Sequence, residues 1–106
     1  MISIKDKNDL TAQLTNAGDK LVVVDFYADW CGPCKMVTPK FDELSKKFPD
    51  VVMAKVDLEE NEELGQEYHI ESMPTFVLFK RSEIVGTYVG ANMDKLKKLI
   101  EQHKKD

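Results

Sequence analysis

Cysteine is scarce in this chain of 106 residues, which contains two, Cys31 and Cys34. Two thiols cannot build the framework of a disulfide-stapled secreted domain, and a chain of this length can bury a core without one. Long apolar runs are missing as well. No stretch approaches the roughly 18 consecutive apolar residues of a membrane span, and residues 1–10 lack the apolar centre of a secretory signal. The final residues His103, Lys104, Lys105 and Asp106 form no retention or lipidation pattern. Positive charge is not in excess: 15 Lys and Arg against 19 Asp and Glu give a formal net charge of −4, which argues against indiscriminate binding to nucleic acid or anionic lipid. The basic run Lys97, Lys98, Lys104 and Lys105 falls on a predicted terminal helix and reads as a solvated face. Repeats, low-complexity tracts and linkers are absent. The expectation is one domain over residues 1–106, working in a reducing cytosol. In that setting a lone, close-set cysteine pair points to catalysis or metal binding rather than to a structural bridge.

What is present is a globular mixture, 42% hydrophobic and 32% charged, whose periodicity switches between strand and helix. Residues 2–4 read as a short opening strand. Residues 7–17 read as a helix, with Leu10, Leu14 and Ala17 on one stripe and Gly18 as its stop. Residues 21–28 are strand formers, nearly all apolar, as in a central strand covered on both faces; Asp25 alone interrupts them. A stripe at Cys34, Val37, Phe41, Leu44 and Phe48 predicts a helix to about Lys47, with Pro39 inside it as a kink. A strand follows over 51–57, then a short helix over 61–68 capped by Asn61. Strands over 75–80 and 84–89 form a hairpin, and Asn92 caps a last helix with Met93, Leu96, Ile100 and His103 on its stripe. The order is βαβαβα followed by ββα. It implies an α/β fold with a mixed five-stranded sheet and helices on both faces.

The cysteines fall where a buried strand meets a helix start. Unpaired N–H groups and partial positive charge at a helix N-terminus favour thiolate at Cys31. Gly32 and Pro33 make the tight first turn, and the spacing of three allows the sulfurs to bond. Cys34 belongs to the apolar stripe, so it is expected to be buried and Cys31 exposed. Cys31 would then attack a substrate disulfide as nucleophile, and Cys34 would resolve the mixed disulfide. A structural disulfide closing so short a loop would stabilise little. A zinc site would need four ligands, and His69 and His103 lie far from the usual spacing, so no metal site is expected. Both histidines read as solvent-facing.

The segment Val24-Asp25-Phe26-Tyr27-Ala28-Asp29-Trp30-Cys31-Gly32-Pro33-Cys34-Lys35, with Met73-Pro74-Thr75-Phe76 and Val89-Gly90-Ala91 in order behind it, resembles the thioredoxin family of cytosolic animal type. The resemblance covers nearly the whole chain and implies the thioredoxin fold. It implies a protein-disulfide reductase that serves redox homeostasis and donates electrons to redox enzymes, with Gly32 and Pro33 tuning the redox pair towards reduction. No cofactor would be bound. Electrons would come from NADPH through thioredoxin reductase, and peroxiredoxins, methionine sulfoxide reductases and ribonucleotide reductase would be among the substrates. A monomer in the cytoplasm, open also to the nucleus, is the implied form. By the same resemblance Pro74 is a cis-proline against the disulfide, and Trp30, Gly32, Pro33, Met73, Pro74, Val89, Gly90 and Ala91 form the substrate platform.

Asp25 is costly to bury as an anion, so it should hold its proton tightly. The resemblance assigns it the role of general base for Cys34 and makes Lys55 its partner. Three departures stand out. Tyr27 occupies a position where many relatives have tryptophan or serine. Ser82 occupies a hairpin position where glycine is common. The additional cysteines of some animal members are missing, which argues against regulation by further thiol oxidation.

Overall fold

The computed structural model describes residues 1–105. Its elements are β1 (Ile2–Ile4), α1 (Lys7–Ala17), β2 (Val22–Tyr27), α2 (Gly32–Lys47), β3 (Val52–Asp57), α3 (Glu62–Glu67), β4 (Thr75–Lys80), β5 (Glu83–Val89) and α4 (Met93–His103). The predicted elements are all present. Where the bounds differ, it is by a residue or two at the ends, as for β2, β3 and α3, where fraying competes with pairing.

The five strands form one sheet in the order β1-β3-β2-β4-β5. Strand β2 pairs in parallel with β3 and antiparallel with β4, so it is central, and the β4–β5 hairpin supplies the other antiparallel pair. Alternation along β2 divides the core. Val22, Val24 and Phe26 pack with Leu10 and Leu14 of α1 and Leu64 of α3. Val23 packs on the other side with Val37, Phe41 and Leu44 of α2 and Leu96 and Ile100 of α4. Asp25 shares the face of Val23, because residues two apart on a strand point the same way. Its register partners are Lys55 on β3 and Phe76 on β4. Phe76 in turn meets Phe41 of α2 with ring centroids 5.1 Å apart, so Asp25 lies under α2.

The caps are partly as expected. Asn92 accepts from the N–H groups of Asp94 and Lys95 and caps α4. Asn61 occupies the cap position of α3 but makes no side-chain cap; its Nδ2 donates instead to the Asp57 carbonyl at 3.4 Å. Helix α2 runs unbroken through Pro39, and the Thr38 hydroxyl donates to the Cys34 carbonyl one turn back. The hairpin turn is two residues, Arg81 and Ser82, both with positive φ (53° and 66°). That is the backbone of the turn type that matches strand twist and favours glycine. His103 is not solvent-facing. It is half-buried, and its ring lies over Gly86, close enough that a β-carbon there would sit 3.2 Å from Nε2.

Candidate functional site

The site begins where β2 ends. A turn closed by the Cys31 N–H to the Ala28 carbonyl (3.1 Å) carries the chain from the sheet into α2. Glu59 pins this turn from outside by accepting the Asp29 N–H at 3.1 Å, a contact across thirty residues that no local pattern signals. Cys31 is the N-cap of α2: its backbone is extended, and its Sγ accepts the Cys34 N–H at 3.2 Å. The sulfur thus occupies the place that a serine or aspartate oxygen takes at an ordinary cap. Negative charge on that sulfur would meet both a donor and the positive end of the helix.

Cys31 and Cys34 are bonded to each other, with Cα atoms 5.3 Å apart. Their burial corrects the expected contrast. Cys31 is 5% exposed and Cys34 2%, because Tyr27 and Met73 pack against the cluster of Ala28 and the two cysteines. Sγ of Cys31 is 3.6 Å from the Met73 carbonyl oxygen, so the opposite wall of the site is the backbone before Pro74.

The Met73–Pro74 peptide bond is cis, and the Pro74 carbonyl accepts the Gly90 N–H at 3.2 Å. That bond, with the pairing of Thr75 and Val89, brings the third motif alongside the second. Gly90 has φ +139°, and a β-carbon there would lie 2.9 Å from the Tyr88 hydroxyl. Conformation and space both call for glycine. Trp30 is 70% exposed, unusual for an indole. Gly32, Pro33, Val89 and Ala91 are also exposed, Met73 and Gly90 are half-buried, and Pro74 is buried. Met36, 68% exposed, lies one helical turn beyond Gly32 and Pro33 and extends the apolar rim. Its place off the buried stripe of α2 is the sequence signal for such an exposed apolar side chain.

Asp25 is 2% exposed, and its Oδ1 has no hydrogen-bond partner. Burial pushes its carboxyl up from the ordinary 3.8 to about 7, opposed by the Lys55 ammonium. Lys55, its register partner, also places its Nζ 5.8 Å from the centroid of the Tyr27 ring. Among the described residues no cluster of His, Cys, Asp and Glu is arranged to hold a metal ion, and no helix is long and apolar enough to cross a membrane.

A redox-active pair at a helix start, a cis-proline opposite it and a mixed sheet of this order define a thiol–disulfide oxidoreductase. The family model for thioredoxin matches residues 2–102. Thioredoxin-T of Drosophila melanogaster is 54% identical over 101 residues, 94% of this chain; the chain spans 64% of that longer protein. Human thioredoxin is 44% identical over 99 residues, covering 93% of this chain and 94% of its own. The structure of Fasciola hepatica thioredoxin superposes with a TM-score of 0.96 at 41% identity, over 98% of this chain and all of the other. The chain belongs to the thioredoxin family. The family carries its electrons in the cysteine pair rather than in a bound cofactor, and works with disulfide-containing substrates and a reductase.

Proposed function

We propose that the chain is a general protein-disulfide reductase in which Cys31 is the nucleophile, Cys34 the resolving thiol and Asp25 the base. The observation that carries this reading is the cap: one cysteine sulfur accepts the N–H of the other at the start of α2. In the reduced protein the Cys31 thiolate attacks one sulfur of a substrate disulfide. That S–S bond breaks, the other substrate sulfur leaves as thiolate, and a mixed disulfide forms. Cys34 then gives its proton to Asp25 and attacks Cys31 Sγ. The second substrate sulfur leaves, and the Cys31–Cys34 disulfide remains. Two electrons from NADPH, delivered by a thioredoxin reductase, restore the dithiol.

A carboxyl that titrates near neutrality is suited to the proton step, since it can both accept and return a proton at working pH. Lys55 favours its ionised form. Gly32 and Pro33 set the geometry, and hence the redox tuning, of the pair. Trp30, Met73, Pro74, Val89, Gly90 and Ala91 receive the substrate, with the backbone beside Pro74 pairing to an extended segment and the rim adding apolar contact. Such a surface reads little side-chain detail, which suits varied substrates, among them peroxiredoxins, methionine sulfoxide reductases and ribonucleotide reductase. The protein acts as a single-domain monomer in the cytoplasm and nucleus. The test is reduction of insulin disulfides with thioredoxin reductase and NADPH. The parent should turn over and the Cys31→Ser, Cys34→Ser double variant should not; a parent that fails to reduce insulin would make the fold a binding scaffold instead.

A further inference from the structure

Tyr27 stands at this site without a part in the reaction scheme. It is half-buried. One side of it packs against the cluster of Ala28, Cys31 and Cys34, and the Lys55 Nζ lies 5.8 Å from its ring centroid. Tyr27, Lys55, Cys34 and Thr38 line a cleft of about 350 Å³ between α2 and the ends of β2 and β3. Asp25 is two residues back along the strand from Tyr27 and pairs in register with Lys55. The three side chains therefore share one face of the sheet.

A lysine ammonium rides on a flexible stem and is strongly hydrated, so nothing intrinsic keeps it beside a buried carboxylate rather than out in water. The face of an aromatic ring attracts such a cation within about 6 Å of its centroid. We propose that Tyr27 is a positioning residue: its ring holds the Lys55 ammonium at the mouth of the cleft and so governs how readily Asp25 takes the proton of Cys34. The proposal rests on Asp25 being that proton acceptor. The other groups around the cleft do not replace Lys55. From β4 the register partner is Phe76, which carries no charge. From α2 come Cys34 and the exposed Lys35 at the lip. Burial, with the carboxylates of Asp57, Asp29, Glu60 and Asp25, holds the Tyr27 hydroxyl above its ordinary range. Tyr27 therefore remains a neutral phenol at working pH, and the ring, not the hydroxyl, does the positioning.

The test uses Tyr27→Leu and Tyr27→Phe, each in the parent and in a Lys55→Gln background. Two readouts are taken: the carbon-13 NMR titration of the Asp25 carboxyl in the oxidised protein, and the pH profile of mixed-disulfide resolution in single turnovers. Tyr27→Leu should raise the Asp25 midpoint by about half a pH unit and slow resolution near pH 7 roughly twofold. Tyr27→Phe should keep the parent midpoint, and Tyr27→Leu should cause no rise once Lys55 is gone. Equal shifts in the Leu and Phe variants, no shift in either, or a Leu shift undiminished without Lys55 would overturn the proposal. Should Tyr27→Leu fail to fold, Lys55→Gln alone must raise the midpoint by at least the same half unit, and an unmoved midpoint overturns the proposal. Failure of the underlying reading looks different: the NMR midpoint would move as expected while the resolution profile ignored it.

Discussion

Among the described residues two charged side chains, Lys80 and Asp25, are buried in the sheet, and the protein treats them in opposite ways. Lys80, at the end of β4, is 5% exposed, yet its Nζ donates to the carbonyls of His103 and Lys104, both at 3.1 Å. Those carbonyls end α4 and would otherwise lack intrahelical donors, so the ammonium is solvated by the protein and closes the helix against the sheet. Asp25, inside β2, is as deeply buried, but its Oδ1 accepts nothing. The buried ammonium has its hydrogen bonds made, whereas the buried carboxylate is left short of them, and burial raises its proton affinity.

Removing each charge sharpens that contrast, and the largest effect is expected at Asp25. Its carboxyl titrates near 7 in the fold against an ordinary 3.8. Below about pH 4 the acid is neutral in both states and costs nothing extra. Between about pH 4 and 7 the unfolded chain gives up this proton while the folded state keeps it, so stability falls across that window and levels off above 7. Asp25→Asn should therefore stabilise the oxidised protein by up to about 4 kcal/mol above pH 8, with the gain shrinking to nothing near pH 4. Chemical denaturation across that range checks it, and a gain independent of pH would mean that ionisation is not the cause.

Lys80→Met should act in the other direction. It strips the donor from two half-buried carbonyls and should cost about 1–2 kcal/mol, while insulin reduction by the folded protein is unchanged. A neutral outcome for stability would show that the α4 end is satisfied without the ammonium.

The sequence announced one of these two residues and not the other. Asp25 interrupts an apolar run, so its burial and raised proton affinity were legible. Lys80 closes an apolar strand next to a turn, where a lysine ordinarily faces water; its burial depends on α4 arriving from twenty-three residues away. The same division holds elsewhere. Element order, the stripe of α2 and the helix-start position of the cysteines follow from periodicity. The near-equal burial of Cys31 and Cys34, the ring of His103 over Gly86 and the clasp of Glu59 on Asp29 arise from tertiary contacts that no local window contains. The role proposed for Pro74 needed the family, because a proline at a strand start has an ordinary explanation.

A smaller effect separates fold from site at the β4–β5 turn. Arg81 and Ser82 both hold positive φ, at a cost that glycine escapes. Ser82→Gly should add about 1 kcal/mol of stability and leave disulfide reduction as it is, since the turn takes no part in the site. Thermal unfolding and insulin turnover measure the two halves.

The most direct test of the division of labour between the cysteines is covalent trapping. Reduced Cys34→Ser and reduced Cys31→Ser are each mixed with insulin and separated under non-reducing conditions. Attack by Cys31 needs only its own thiolate, whereas release needs a second thiol on the same helical turn, which a serine hydroxyl cannot supply. The Cys34→Ser variant should accumulate a mixed disulfide that persists until dithiothreitol is added, and the Cys31→Ser variant should accumulate almost none. Equal trapping by both, or trapping by Cys31→Ser alone, would contradict the assignment of Cys31 as nucleophile.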